Sequence, residues 1–384
     1  MNCEYIKFLL FMLVIASCQP SAPVADEDPV QKSSKQEYHL TGDLNSQNVP
    51  VFWYEADSTW IKLETAASQV IFYSAPDKEN WTRQSAFGRA DLGIWESPVL
   101  FSLPLPGNPE AVRWCLLVNV QSGAPNGGSG TRYFLGDFDG ATFRSDFPEE
   151  RALWLDYGKD HRDTRILSRA LPRPSYQATM LNTEYSQSVQ AVSAGTMLSL
   201  GRGLQLQNTE EGLRVFCNPV KEVEAFRRKH YKFALGSFNG KYELTNDLGF
   251  DPAVAEYFIA VEASEGVSAK QVGFIWTNDA GDELHVGYER ETKRFFIDRR
   301  HSGRTDFDRS FAPAIDYAPR TAPNRTIVLR IFIDHNSIEL FADGGRTVMT
   351  DLIFPNSPYN HFYIFSEGGN AMIRMGEAWE LSGK

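Results

Sequence analysis

Residues 51–74 read V-F-W-Y-E-A-D-S-T-W-I-K-L-E-T-A-A-S-Q-V-I-F-Y-S. Three short runs rich in aromatic and β-branched residues, 51–54, 59–64 and 69–74, are parted by E-A-D-S and A-A-S, small and polar residues that end strands. Trp81 falls where a fourth, outer strand would follow. Four short antiparallel strands in sequence are the repeating unit of a β-propeller. Working outward, a second set follows at 99–103, 113–121, 131–137 and 142–147, with a turn very rich in Gly, Pro, Asn and Ser between its second and third members. A third set begins at 153–157.

The rhythm changes in the second half. A helix is expected over 220–229, V-K-E-V-E-A-F-R-R-K, because Val220, Val223 and Phe226 share one face. Longer strands with hairpin signals come next, at 272–277, 283–289 and 294–300, joined by N-D-A-G-D and R-E-T-K. Strands at 326–334, 337–342 and 346–353 follow, with D-H-N and D-G-G at the corners. Meanders of long strands suggest a sandwich. One stretch, 161–203, breaks the pattern, since R-D-T-R-I-L-S-R-A-L-P-R-P-S-Y-Q at 162–177 shows no clean alternation. Divergence and translation in a shifted frame both leave such a segment between well-patterned flanks.

Three unusual strings stand in order: W-E-S-P at 95–98, G-A-P-N-G-G-S-G-T-R-Y-F-L-G-D-F-D-G at 123–140, and W-L-D-Y-G-K-D at 154–160. With F-F-I-D-R-R-H-S-G at 295–303 and L-R-I-F-I-D-H-N-S-I-E-L-F-A-D-G-G at 329–345, they resemble glycoside hydrolase family 32, the fructosidases that include levanases, inulinases and invertases. The resemblance covers 51–160 and 203 to the C-terminus. It implies a five-bladed propeller followed by a sandwich. The expected fold class is therefore all-β, an incomplete five-bladed-type β-propeller followed by a C-terminal β-sandwich. Expected limits are 1–18 for a signal peptide, 19–37 for a flexible tether, 38–204 for the partial propeller and 205–384 for the sandwich. The implied reaction is hydrolysis of terminal β-fructofuranosides in levan, inulin or sucrose through a covalent fructosyl-enzyme. No cofactor is implied, and the implied partner is a fructan or sucrose-type carbohydrate.

Retaining glycosidases need two carboxylates, a nucleophile and an acid/base, about 5–5.5 Å apart across the scissile bond. The resemblance gives Glu96 the acid/base role and assigns Trp95, Asp156 and Lys159 to the substrate. An Asp accepts two hydroxyl hydrogen bonds and a Lys donates them. Ser97 stands where the family has Cys. The family's nucleophile motif, W-M-N-D-P-N-G, has no counterpart here. Its R-D-P motif is replaced by N-V-P at 48–50, and the N-D pairs at 246–247 and 278–279 lack the P-N-G flank. Asp43 and Asp57 are the nearby carboxylates that would have to substitute. An acid/base without its nucleophile does not run double displacement. A truncated, inactive relative is therefore expected, with a non-catalytic fructan-binding surface lipoprotein and a weak hydrolase using a substitute carboxylate as alternatives. The loop at 123–130 lacks the G-K-[ST] ending of a nucleotide loop and is expected to be a tight inter-strand turn in which Gly supplies positive φ.

The rest of the composition narrows the partners. The 384 residues suffice for two domains, and 42 % hydrophobic with 23 % charged residues is ordinary for a folded protein. A net charge of −11 with no Lys/Arg run longer than R-R-K at 227–229 argues against nucleic acid. Aromatics at 13 % suit sugar stacking and a β core equally. Lys7 precedes a short apolar run, 8–16, that ends in I-A-S-C at 15–18. This resembles a lipoprotein signal cleaved before a cysteine, so Cys18 is expected to carry the lipid and tether an exported protein to the membrane. The segment 19–37 has the composition of a solvated linker. Cys115 and Cys217 remain, with no C-x-x-C and no His spacing that would hold a metal.

Overall fold

The computed structural model describes residues 51–89, 93–192, 196–262 and 268–382. The signal-like segment with Cys18, the tether and residues 38–50, Asp43 among them, lie outside the described residues.

Three antiparallel four-stranded sheets form propeller-like blades. The first runs β1 (Val51–Tyr54), β2 (Thr59–Ala66), β3 (Gln69–Ala75) and β4 (Thr82–Phe87). The second runs β5 (Trp95–Leu105), β6 (Asn108–Val120), β7 (Gly130–Phe138) and β8 (Phe143–Ser145). The third holds β9 (Arg162–Ser168), β10 (Ser175–Thr179), β11 (Arg202–Thr209) and β12 (Gly212–Pro219). The second blade is covered on both faces. Leu116, Val118 and Val120 of β6 pack with Ile61, Leu63, Val70 and Phe72 of the first blade. The alternate residues Cys115 and Leu117 pack with Tyr176, Leu204, Leu206 and Val215 of the third. A strand buried on both faces needs apolar residues at every position, which is why 115–118 reads as a continuous run. About half of the aromatic rings among the described residues are buried in the core. On the outward face of the first blade, Trp53 and Trp60 meet edge to face at 5.2 Å, and Lys78 lies 3.6 Å over the Trp60 ring.

Within the stretch 161–203, β9 and β10 belong to the third blade, and the helix α1 (Ser186–Val192) that follows them packs through Val189 with Phe311, Leu352 and Phe354. The strand pairing is irregular. The β9–β10 register slips twice, and β10 meets β11 at only Ser175↔Gly203 and Tyr176↔Arg202. These slips account for the missing alternation in the sequence. The blade continues to Pro219, so a boundary at 204/205 would cut β11; the sandwich starts after a 3-10 turn, Lys221–Phe226. That turn replaces the expected helix over 220–229. Apolar residues spaced by three fit three residues per turn, and the chain becomes a strand at Arg227.

The sandwich is a ten-stranded sheet folded on itself. Its strands are β13 (Arg227–Glu243), β14 (Ala255–Glu262), β15 (Gln271–Thr277), β16 (Glu283–Glu289), β17 (Arg294–His301), β18 (Asp316–Pro319), β19 (Thr326–Asp334), β20 (Ser337–Ala342), β21 (Thr347–Leu352) and β22 (His361–Leu381). A four-residue helix, α2 (Thr245–Leu248), follows β13. The long β22 serves both layers: His361 to Glu367 pair with β15, and Met372 to Glu380 with β14. Gly368 and Gly369, at φ 70 and 148, make the bend between the two halves. Between the layers lie Tyr257, Phe274, Trp276, Phe295, Ile331 and Phe362.

The string W-L-D-Y-G-K-D is a connector rather than the first strand of the third blade. It first lies beside β7, where Tyr133 N donates to Leu153 O and Leu155 N to Thr131 O, both at 2.9 Å. It then crosses to β21, where Tyr157 N donates to Val348 O at 2.8 Å and Asp160 N to Thr350 O at 3.0 Å. The glycine-rich loop also reaches the sandwich. Asn126 Nδ2 donates to Tyr157 O at 2.6 Å, and its Oδ1 accepts from Tyr317 N at 3.0 Å. Blades and sandwich thus meet along a hydrogen-bonded seam.

Candidate functional site

Glu96 is the second residue of β5, opposite Asn119 of β6. The register slips between Glu96 and Val99, and Ser97 sits at φ 46, in the left-handed region. Pro98 has no N–H for the ladder, so the strand bulges here, and a bulge re-aims a side chain at a sheet end. The Glu96 side chain is 34 % exposed. Gln121 Nε2 donates to its Oε1 at 2.6 Å, and Arg162 Nη2 lies 3.4 Å from its Oε2. The same Arg162 nitrogen reaches Asp163 Oδ1 at 3.3 Å, and Arg162 Nε reaches Asp163 Oδ2 at 3.0 Å. One guanidinium therefore stands between two carboxylates. Thr183 Oγ1 anchors the group by donating to Gln121 O at 2.7 Å.

The other residues assigned by resemblance are closed from solvent. Trp95 is 1 % exposed and packs on Phe134 and Phe87, at 5.4 and 6.4 Å between ring centres. It wedges the first blade against the second. Asp156 and Lys159 are 2 % and 3 % exposed and do not pair with each other. Asp156 Oδ2 accepts from Arg202 Nη1 and Thr350 Oγ1, both at 2.6 Å, and its Oδ1 accepts from Gly158 N at 2.7 Å. Burial opposes its ionisation, yet the charges of His161 and Arg202 and the Thr350 and Arg202 hydrogen bonds hold its pKa below the usual value. Arg202 also donates to Glu339 at 2.5 Å and to Thr350. Lys159 Nζ donates to Ser310 O at 2.5 Å and pairs with Glu184 at 3.2 Å. Both residues are buried in the seam and bound to protein groups.

A buried polar chain runs from the residue opposite Glu96 to the sandwich. Asn119 Oδ1 accepts from Thr131 Oγ1 at 2.8 Å, Thr131 meets His161 Nδ1 at 3.2 Å, and His161 Nε2 meets Tyr176 OH at 3.4 Å. Arg202 then donates to Tyr176 OH at 3.3 Å. Burial lowers the His161 pKa to about 4. Such a chain fixes the base of the Glu96 strand against β20 and β21.

Asp57 does not face Glu96. It lies in the turn Glu55–Asp57 between β1 and β2, whereas Trp95 N donates to Ala67 O at the β2–β3 turn. The eight residues of β2 separate those ends by roughly 25 Å. The carboxylate that does meet the Glu96 cluster, Asp163, lies in the irregular stretch 161–203, outside the motif strings, which is why sequence reasoning does not find it. The one sequence signal there is the Arg162-Asp163 pair, the first two residues of an R-D-P motif without its Pro. A cleft of about 430 Å³ lined by Phe87, Arg89, Arg144, Phe147 and Glu149 includes neither Glu96 nor its partners. Among the described residues, no cluster of His, Cys, Asp and Glu could hold a metal ion.

Residues 31–217 match the family described as glycosyl hydrolases family 32 N-terminal domain, and residues 222–380 match glycosyl hydrolases family 32 C terminal. The step from one to the other falls where the third blade gives way to the sandwich. The levanase of Bacillus subtilis (strain 168) is 31 % identical over 352 residues, covering 87 % of this chain and 50 % of the levanase. An extracellular exo-inulinase of Aspergillus niger is 26 % identical over 358 residues, covering 89 % of this chain and 65 % of the relative. The chain thus spans about half the length of that levanase. Among solved structures, exo-inulinase from Aspergillus awamori matches with a TM-score of 0.76 at 25 % identity, over 87 % of this chain and 66 % of that one. The β-fructofuranosidase of Schwanniomyces occidentalis, complexed with fructosyl-erythritol, has a TM-score of 0.74 at 20 % identity, over 87 % and 69 %, a likeness of fold. The motif strings, the blade-and-sandwich architecture and both family matches converge: this chain belongs to glycosyl hydrolase family 32.

Proposed function

We propose that this chain recognises a fructan or sucrose-type carbohydrate at the Glu96 end of its blades and does not hydrolyse it. The observation that carries this is the Arg162 guanidinium, 3.4 Å from Glu96 and 3.3 Å from Asp163. A retaining site holds its carboxylates across the scissile bond. Here the one carboxylate that meets the Glu96 cluster, Asp163, is tied to the same guanidinium as Glu96, so a cation stands where a second, free carboxylate would be needed. Relatives that carry the names levanase, exo-inulinase and β-fructofuranosidase support the substrate class.

The test is incubation of the purified chain with levan, inulin and sucrose, followed by assay of free fructose and, separately, of levan binding by affinity electrophoresis. No fructose release, with retarded migration in levan that Glu96→Gln and Arg162→Ala weaken, is the expected result. A second reading rests on Asp163 as substitute nucleophile, because hydrogen bonding brings it to the same guanidinium as Glu96. Fructose release that Asp163→Asn and Glu96→Gln each abolish would establish that reading and reject the first. Export as a lipid-anchored protein belongs to the same proposal, on the I-A-S-C string. Cys18→Ser should move the protein from the membrane fraction, and unchanged fractionation counts against the anchor.

A further inference from the structure

The seam holds more carboxylate than cation. Around the Arg299 guanidinium stand Asp160 of the connector, Asp316 at the start of β18 and Asp351 on β21. All four side chains are buried. Asp160 is fully served: Oδ2 accepts from Arg299 Nη1 at 2.6 Å and from Leu352 N at 2.9 Å, and Oδ1 accepts from Tyr185 OH at 2.5 Å. The other two are not. Asp351 Oδ1 accepts from Lys159 N at 2.7 Å, but among the described residues its Oδ2 has no hydrogen-bond partner. Asp316 Oδ2 lies 3.3 Å from Arg299 Nε, outside hydrogen-bond geometry, and is likewise unpartnered. β18 and β21 lie side by side, with Thr347 Oγ1 donating to Pro319 O at 3.0 Å. This places both carboxyl groups in the one buried cluster around Arg299, where the charge of each acts on the other. Ionised, they would bring only acceptors to each other in a buried seam. A proton on one of them supplies the missing donor and makes a strong O–H···O bond.

We propose that Asp316 and Asp351 share one proton, and that this proton fastens the connector to the sandwich in a pH-dependent way. The surrounding groups are consistent with it. Burial pushes Asp316 up to about 6 against the pull of Arg299 and Lys159, with Asp160 adding to the rise. Burial and the charge of Asp316 raise Asp351 well above the ordinary carboxylate range. The two titrate as a pair. Tyr185 is kept neutral by burial and donates to Asp160, while Glu184 is taken up by Lys159. Folded values raised above the unfolded 3.8 mean stability that is full below that value and is lost as pH rises through about 6. His161, elsewhere in the seam, works in the opposite direction. Its value of about 4 lies below the ordinary 6.5, so its contribution is lost as pH falls through that window.

Because the two effects oppose, the informative quantity is the difference between wild type and variant. In Asp351→Asn and Asp316→Asn of the full chain, an amide N–H replaces the shared proton at every pH. Urea unfolding midpoints measured from about pH 4 to about pH 8 should converge at the acid end and separate above about pH 6. At the alkaline end both variants should outlast wild type, with an unfolding constant at least about tenfold smaller. Infrared difference spectra should show a protonated-carboxyl C=O band in wild type at about pH 5 that fades on alkalinisation and is missing from both variants. Parallel pH profiles in wild type and variants, or a band that survives both substitutions, would overturn the proposal. If Asp351→Asn fails to fold, Asp316→Asn alone decides, since Asp351 then keeps its bond to Lys159 N.

Discussion

At the residue scale, the seam turns on Arg202, a fully buried guanidinium that serves two carboxylates, Asp156 and Glu339, at 2.6 and 2.5 Å. Those partners come from the connector and from β20, the latter 137 positions along the chain from Arg202 itself. Removing a buried partner leaves uncompensated charge, which costs about 3–5 kcal/mol. Arg202→Met should lower the urea-derived stability by that amount, and adding Glu339→Gln should restore part of it because one stranded charge is gone. A loss below about 1 kcal/mol would show that the ion pairs are not what hold the seam. The same residue explains what the sequence hid. D-Y-G-K was legible as a motif, but burial of Asp156 and Lys159 depends on groups far along the chain. Spacing and composition carry no trace of such contacts.

At the scale of elements, the sandwich strands were legible because hairpin corners such as D-H-N and D-G-G bound them cleanly. Strands of the second blade were legible too, with the alternation lost only where both faces are covered, as at Cys115 and Leu116. The third blade was not, since β10 contributes two register positions to β11 and its first pairing slips. The connector was misjudged as a strand of that blade because Leu153 to Tyr157 has strand composition, while its partners lie in β7 and β21. Gly158 shows how tightly it docks. A Cβ there would come within 2.0 Å of Thr350 N and 2.3 Å of Thr350 O, both backbone atoms that cannot swing aside. Gly158→Ala should therefore cost about 1–3 kcal/mol by overpacking. Hydrogen exchange locates the damage: the amides of Tyr157 and Asp160 should lose protection while those paired between β15 and β16 keep theirs. Uniform loss across the sandwich would mean that the connector is not a separable element.

At the scale of the whole molecule, architecture follows from which sheet faces find a cover. The second blade is covered on both sides, the sandwich closes on itself, and the seam adds Phe332, Phe341 and Val348 of the sandwich to the core of the second and third blades. The sandwich has its own continuous core, so it has what an independent folding unit needs. Its junction with the blades lies between Pro219 and Arg227, not at 204/205. A fragment 220–384 should accordingly unfold cooperatively in urea. It should be less stable than the full chain, because the seam face of β19 to β21 becomes exposed. A fragment 205–384 keeps most of the β11–β12 hairpin while losing β10 and the second blade, so Leu206, Val215 and Cys217, now buried, would be open to solvent. Exposed apolar faces and unpaired edges promote association. Sedimentation should then show 220–384 as a monomer and 205–384 as aggregate at the same concentration. If the longer piece is the better behaved, the hairpin belongs with the sandwich, and the division between blades and sandwich drawn from the sheet pairing is wrong.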